Sequence, residues 1–168
     1  LMTALLKAQC DLLWFGGIGN FIKARAESHA EVGDKANDGV RVDAEDVRAL
    51  VIGEGANLGV TQKGRIAFAR ARKSLNGGRI NTDAIDNSAG VNSSDLEVNI
   101  KIALGALTRS GQLTTQVRNE FLASMTDQVA ELCLKNNYLQ SLALSVEEYR
   151  GLSAFPEHLA LIDTLEAS

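Results

Sequence analysis

The chain has 168 residues, of which 45% are hydrophobic and 23% charged, and its formal net charge at pH 7 is −4. These are the proportions of a globular domain that buries a core, and the acidic balance disfavours a nucleic-acid partner, since phosphate-binding surfaces carry a basic excess. No apolar run is long enough to predict a segment that crosses a membrane.

Isolated cysteines and histidines give no sign of a metal site or a catalytic triad. Cys10 and Cys133 lack Cys-x-x-Cys spacing and have no histidine nearby at ligand spacing, which favours buried thiols in a reducing compartment, and we expect a cytoplasmic protein. His29 and His158 stand alone, and each is interpreted as a surface side chain or as one whose hydrogen-bonding groups have partners within the fold. Because an apolar helical pattern is already under way at Leu1, we expect a piece of a longer protein.

Three short apolar runs, each ended by turn-forming residues, are predicted as parallel strands. The first run, residues 10–15, is ended by residues 16–19, and the second, residues 50–52, is ended by residues 53–57. The third, residues 79–82, is followed by a predicted loop over residues 83–93. Helical patterns between and after these runs give the alternation of an open parallel α/β sheet. Ligands of such sheets bind beyond the carboxyl ends of the strands, so we expect the three loops on one rim.

The segments between the predicted strands carry weaker signals. Residues 20–30 are predicted as polar and helical, residues 33–39 as a loop, and Asp43 as the N-cap of about two helical turns. A helix is predicted over residues 61–74. Its basic cluster is interpreted as a solvated face and a cationic helix end, and the members of that cluster are Arg65, Arg70, Arg72 and Lys73.

Ser94 begins a capping-box pattern, with Glu97 three residues on, and therefore predicts a helix N-terminus. Unpaired backbone donors and a partial positive charge at such a terminus favour an anionic substrate group. Alternatively, Ser94 only caps its helix. Both roles can hold, because a hydroxyl has one donor and two acceptor sites.

The character of the chain changes after Gly111. Residues 116–136 predict one long amphipathic helix that is broken at Asn136 and Asn137, and residues 138–152 predict a second helix. A third is predicted over residues 156–167, with Pro156 in its first turn. The sequence thus predicts two domains, an α/β domain over residues 1–110 and a helical extension over residues 111–168.

Two of the strand-end segments are candidate ligand sites. Residues 17–22 nearly match the G-x-G-x-x-G fingerprint but lack its third glycine, and no acidic strand end follows about 20 residues on. We therefore reject a first-strand pyrophosphate loop there, although the glycines permit a ligand to approach the backbone as well as a tight turn. Asn57 can donate and accept at once, which suits a ribose hydroxyl or carboxamide; alternatively, it occupies a left-handed turn.

The rim segments, in this order, resemble the large bacterial NAD-specific glutamate dehydrogenases. The resemblance covers residues 5–111 and is carried by residues 11–19, 27–29, 33–38, 53–57 and 78–91. The smaller hexameric glutamate dehydrogenases are similar more faintly, with an E-G-A-N strand end like residues 54–57 and an N-(A/S)-G-G-V-x-x-S motif like residues 87–94. This chain departs from that motif at Ala89, where the hexameric family has glycine, and at residues 58–60, which replace a proline-threonine pattern.

The resemblance implies the C-terminal half of a Rossmann-like domain that binds NAD, in an enzyme converting L-glutamate, NAD and water to 2-oxoglutarate, ammonia and NADH. The implied cofactor-binding residues are Gly17 and Ile18 against the adenosine half and Asn57 and Asn87 beside the nicotinamide ribose and carboxamide. The implied substrate-binding residues are Val91 in the side-chain pocket and Ser94 at the far carboxylate of glutamate.

The family's substrate-binding lysines, proton-transfer aspartate and phosphate-binding glycine loop precede the region that matches here. We therefore expect no catalytic residue, no metal site and no turnover from this chain alone. A homo-oligomer is expected, because an open sheet edge favours self-association. Two alternatives stay open: a non-catalytic interaction or assembly module, and a dehydrogenase of another amino acid.

Overall fold

A computed structural model describes residues 1–71 and 77–168 of the chain. These residues form two compact units, Leu1–Val91 and Asn92–Ser168. The predicted division into residues 1–110 and 111–168, which follows the change of sequence character after Gly111, stays a prediction. The predicted end of the helix over 61–74, with Arg72 and Lys73, lies outside the described residues.

The described residues of the first unit form five short strands, four helices and the start of a fifth helix. The strands are β1 (Leu12–Phe15), β2 (Ile22–Lys23), β3 (Val42–Asp43), β4 (Val51–Glu54) and β5 (Arg79–Ile80). The helices are α1 (Met2–Leu6), α2 (His29–Val32), α3 (Gln62–Ala71) and α4 (Asp83–Asp86).

The main sheet is parallel throughout and has the order β1-β4-β5. Trp14 pairs with Gly53 and Ile52 with Ile80, which fixes the register of the three strands. This arrangement confirms the predicted α/β class and all three predicted strands. Because the strands are parallel neighbours, the segments that follow them lie along one edge of the sheet.

The core of the first unit lies on one face of this sheet. Ile52 of β4 and Phe68 of α3 are essentially inaccessible, and burying a side chain of this size stabilises the fold by roughly 1.5–3 kcal/mol. On the opposite face, Leu12 and Trp14 of β1 are more than half exposed. Strand β1 is therefore buried on one face only.

A second, two-stranded parallel sheet joins β2 to β3 and replaces the helix predicted over residues 20–30. Ile22 is fully buried, and its backbone N–H donates to Gly59 O at 3.1 Å, so tertiary pairing overrides the local helical pattern. Asp43 precedes a single 3-10 turn rather than two helical turns. Its carboxylate makes no cap and instead accepts from Lys23 Nζ at 2.5 Å.

Helix α5 (Ser88–Arg109) begins six residues before the predicted start, so Ser94 lies inside it and the capping box is wrong. The loop predicted over residues 83–93 is helical as well, apart from a turn at Asn87. The physical reason is tertiary. Asp83 and Asp86 accept hydrogen bonds from backbone N–H groups around the end of β4, which fixes the chain against the sheet and lets α5 start at once.

The second unit holds the rest of α5 and three further helices, α6 (Thr115–Ser124), α7 (Thr126–Arg150) and α8 (Phe155–Glu166). The helix predicted over 116–136 is divided at Met125, and the break predicted at Asn136 and Asn137 is wrong, because α7 runs through both. Asn137 Nδ2 donates to Cys133 O at 2.7 Å, which satisfies the amide within the helix.

Two other features of the helical tail and the cysteines agree with the sequence. Pro156 stands in the first turn of α8, where a missing N–H costs nothing. Cys133 is buried and Cys10 is half-buried, and both are free thiols. Within residues 1–71 and 77–168, no helix has the combination of length and hydropathy needed to cross a membrane.

Candidate functional site

Two aspartates join the segments that follow β4 and β5. Asp86 Oδ2 accepts from the backbone N–H of Glu54 at 3.0 Å, and Asp83 Oδ2 accepts from that of Leu58 at 2.9 Å. Asp86 Oδ1 also accepts from Asn81 Nδ2 at 3.1 Å. The bonds to Glu54 and Leu58 cross from the segment after β5 to the end of β4, so the two segments form one connected rim.

Asn57 and Asn87 meet on this rim. Asn87 Nδ2 donates to Asn57 Oδ1 at 3.1 Å, in an exposed hydrogen bond between residues 30 positions apart. The bond does not use the Asn57 amide nitrogen, which is a donor, or the Asn87 carbonyl oxygen, which is an acceptor. A Cβ at Gly90 would lie 3.0 Å from Asn87 Oδ1, so glycine at that position gives the Asn87 side chain its room.

Gly17 and Ile18 lie on the segment after β1, the strand next to β4. In the part of the chain that the structure describes, no atom other than those of the chain neighbours lies within 4 Å of a Cβ placed at Gly16 or Gly17, and Ile18 is 91% exposed. Gly55 N donates to Phe15 O at 2.8 Å, which ties the start of this segment to the end of β4. This part of the rim is therefore open surface beside the Asn57 segment.

The glycines of the second strand end have a structural role that sequence reasoning missed. A Cβ at Gly53 or Gly55 would lie 2.6 Å or 2.9 Å from atoms of the Trp14 indole. The ring lies along β4 across both glycines. Glycine is required at both positions because of Trp14, and an alternation of glycines beside a tryptophan in the neighbouring strand was the available signal.

A buried ion pair lies beneath the rim. Arg65 Nη2 donates to Glu54 Oε2 at 2.7 Å, and Arg65 Nη1 donates to Asn81 O at 2.7 Å. Burial raises the pKa of Glu54, and the hydrogen bond from Arg65 opposes that rise. Within the described part of the chain, Glu54 Oε1 is buried without a hydrogen-bond partner. The interpretation of Arg65 as part of a solvated basic face is wrong, because its partners lie across the core.

Arg41 organises the loops between β2 and β3. Its buried guanidinium donates to Asn20 O at 2.8 Å, to Asp34 O at 2.5 Å and to Asp38 Oδ1 at 2.6 Å, and Nη1 lies 2.7 Å from His29 Nδ1. The backbone N–H of Asn20, which donates to the Asp34 carboxylate, lowers the pKa of Asp34. His29 is thus a satisfied histidine, as predicted.

The two candidate substrate residues lie on α5. Val91 follows Asn87 by one turn, with its N–H donating to Asn87 O at 3.4 Å, and its side chain is half exposed. Ser94 is exposed and belongs to the second unit. The structure therefore brings Asn57, Asn87 and Val91 together on the first unit. Across the two described stretches, no group of three or more His, Cys, Asp or Glu side chains could hold a metal ion.

The parallel sheet and its connected rim define a Rossmann-like α/β unit with a candidate nucleotide-facing edge. The chain belongs to the family described as "Bacterial NAD-glutamate dehydrogenase, catalytic domain", which matches residues 1–147.

Three curated relatives are similar to this chain along its whole length. The proteins named NAD-specific glutamate dehydrogenase from Pseudomonas aeruginosa and Mycobacterium tuberculosis are each 52% identical to it over 167 residues, 99% of this chain and 10% of each relative. The protein of that name from Halomonas elongata is 46% identical over 168 residues, all of this chain and 10% of that relative. The chain spans about a tenth of the length of these relatives. The similarity extends through the helical tail, beyond the residues 5–111 on which the resemblance rests.

Proposed function

We propose that this chain forms part of an NAD-dependent glutamate dehydrogenase that converts L-glutamate, NAD and water to 2-oxoglutarate, ammonia and NADH. Residues 1–110 supply the C-terminal half of the NAD-binding domain, and residues 111–168 supply a helical extension. The enzyme is a cytoplasmic homo-oligomer. The observation that carries the proposal is the hydrogen bond between Asn57 and Asn87 at the ends of two parallel strands.

The Asn57–Asn87 pair suits the nicotinamide end of NAD. A carboxamide has both a donor and an acceptor, which the amide nitrogen of Asn57 and the carbonyl oxygen of Asn87 complement. The bond between the two side chains orders both amides before the cofactor arrives, which reduces the entropy lost on binding. The open surface at Gly17 and Ile18 receives the adenosine half, since no side chain fills the space above Gly17.

Two residues of α5 bind the substrate. Val91 lines the pocket for the side chain of glutamate, and Ser94 hydrogen-bonds its far carboxylate. A site built around a hydroxyl selects a substrate with a polar end, because an apolar substrate would leave that hydroxyl unpaired. This favours glutamate over an apolar amino acid.

This chain supplies residues that line the cofactor and substrate site, and it supplies no proton-transfer group. The substrate-binding lysines and the proton-transfer aspartate of the family belong to the part of the enzyme that precedes the matched region. The isolated chain therefore produces no NADH from glutamate. Binding of NAD to it is measurable by hydrogen exchange, with protection expected at residues 53–57 and 87–94.

The test is the initial rate of NADH appearance from NAD and L-glutamate, catalysed by the full-length dehydrogenase that carries this chain. A glutamate-dependent rate is expected. Asn57→Ala and Asn87→Ala are each expected to raise the KM for NAD by roughly tenfold, the worth of one hydrogen bond. Asn99→Ala on the exposed surface of α5 is the matched control. A folded enzyme that shows no rate with glutamate, or unchanged KM values in both variants, contradicts the proposal.

A further inference from the structure

We propose that Asp83 is the positioning residue of the Asn57–Asn87 pair, which it holds by fixing the backbone beside each amide. The inference rests on the proposed function, because it assigns to Asp83 the orientation in which the two amides meet NAD. Three observations carry it: the strained backbone at Leu58, the hydrogen bonds that Asp83 makes, and the way in which its carboxylate is itself held.

Leu58, the residue after Asn57, has a left-handed backbone. Its φ is +66°, and among the residues that the structure describes it is the one non-glycine with positive φ. A leucine costs free energy in this conformation, because its Cβ approaches the following carbonyl oxygen. The Leu58 side chain is largely exposed, so core packing does not stabilise the conformation. Such strain persists only where the surroundings enforce it, and it is typical of functional sites.

Asp83 is bonded to the backbone on both sides of the pair. Its Oδ2 accepts from the Leu58 N–H at 2.9 Å, which holds the strained turn directly after Asn57. Its carbonyl oxygen accepts from the Asn87 N–H at 2.8 Å, which closes the single turn of α4 directly before α5. One residue thus sets the position of both amides, although it contacts neither side chain in the bond between them.

The carboxylate of Asp83 is fixed by its own partners. Oδ1 accepts from the Ala84 N–H at 3.0 Å and lies 3.8 Å from Arg65 Nη2. Arg65 is held in turn, since it is buried and donates to Glu54 and to Asn81 O. The hold on Leu58 is therefore anchored in the core of the unit rather than in a flexible surface side chain.

Kinetics of the full-length dehydrogenase separate positioning from a general structural role. We expect Asp83→Ala to raise the KM for NAD by roughly tenfold, as for the loss of one hydrogen bond, with the KM for glutamate unchanged. Asp83→Asn keeps an acceptor for the Leu58 N–H and is expected to restore most of the affinity. Leu58→Gly in the Asp83→Ala background is expected to rescue the KM for NAD, because glycine adopts positive φ without enforcement.

Asp46→Ala is the matched control. It removes an aspartate of the same unit that pairs with Lys7 at 2.7 Å and with Arg25 at 2.5 Å, away from the rim. Both KM values are expected to stay unchanged in this variant. An Asp83→Ala enzyme with the wild-type KM for NAD, or a rescue by Leu58→Gly that restores stability without restoring that KM, overturns the inference.

Hydrogen exchange of the 168-residue chain tests the role of Asp83 without a measurement of enzyme activity. The Leu58 amide is expected to exchange at least tenfold faster in Asp83→Ala than in the wild type, while Asp83→Asn keeps most of its protection. If the wild-type dehydrogenase shows no glutamate-dependent rate, the proposed function fails, and the Leu58 amide alone decides whether Asp83 fixes the loop. Equal exchange in the wild type and Asp83→Ala overturns the inference in either case.

Discussion

Arg65 of α3 and Glu54 at the end of β4 form an ion pair at 2.7 Å in which neither side chain is more than 7% exposed. Taking two charges out of water is costly, and their attraction offsets that cost only while both partners remain. The pair also supports the rim, because Glu54 is followed by Gly55 and Asn57 and Arg65 holds Asn81 O.

Arg65→Ala is expected to destabilise the fold by about 3–5 kcal/mol, because it leaves the Glu54 carboxylate buried and unpaired. Arg25→Ala provides the comparison, since Arg25 pairs with Asp43 and Asp46 on the surface, where such pairs contribute about 0–1 kcal/mol. Urea unfolding of the two variants measures both losses. Similar losses of unfolding free energy in the two variants would show that the Arg65–Glu54 pair stabilises the fold no more than a surface ion pair does.

Glu54→Gln is expected to change the dependence of stability on pH. Because burial raises the pKa of Glu54 above 4.5, the folded state binds the proton more tightly than the unfolded state. The stability that this group contributes is fully present below pH 4.5 and is lost as the pH rises through its folded pKa. The free energy of unfolding of Glu54→Gln, relative to the wild type, should therefore rise over that window and then level off. A difference that falls with pH would contradict the direction of the shift.

Gly55→Ala is expected to displace the indole of Trp14, since the new Cβ would lie 2.9 Å from ring atoms. Overpacking of this kind costs about 1–3 kcal/mol. Trp14 is the sole tryptophan of the chain, so its emission spectrum reports the displacement directly. Gly16→Ala, where a Cβ meets no atom within 4 Å, should leave the spectrum unchanged. Identical spectra for both variants would mean that Trp14 does not lie on Gly55.

Ser94→Ala in the full-length dehydrogenase is expected to lower kcat/KM for glutamate by roughly tenfold, through the loss of one hydrogen bond to the far carboxylate. The KM for NAD should change less. Ser93→Ala removes the neighbouring hydroxyl and serves as the control. An unchanged response to glutamate in Ser94→Ala would remove that residue from the substrate site.

The three strands of the main sheet were predictable because each is a short apolar run that ends in turn-forming residues. The strand pair β2 and β3 was not, since two residues carry no period and Ile22 is fixed by a backbone bond to Gly59. The early start of α5 also depends on distant partners. Asp83 and Asp86 look like loop residues in the sequence, and only their bonds to the end of β4 make the segment helical.

For the candidate site, the sequence identified Asn57 from its position after a strand and Asn87 through the family resemblance, but not what holds them. Asn57 and Asn87 follow two predicted parallel strands, so their proximity could be expected, whereas the bond between them depends on the register of β4 and β5. The burial of Arg65 depends on Glu54 lying across the core, and local patterning placed Arg65 on a solvated face. Nothing in the pattern around Leu58 predicts a left-handed leucine.

The order of the strands in the main sheet follows their order along the chain and advances in one direction from β1 to β5. Neighbouring strands are about 4.8 Å apart, so successive rim segments are displaced from one another by one strand each. On the proposed assignment, the spacing of the strands therefore sets the positions of the two halves of NAD. The adenosine half lies at the end of β1, and the nicotinamide half lies one and two strands away, at the ends of β4 and β5.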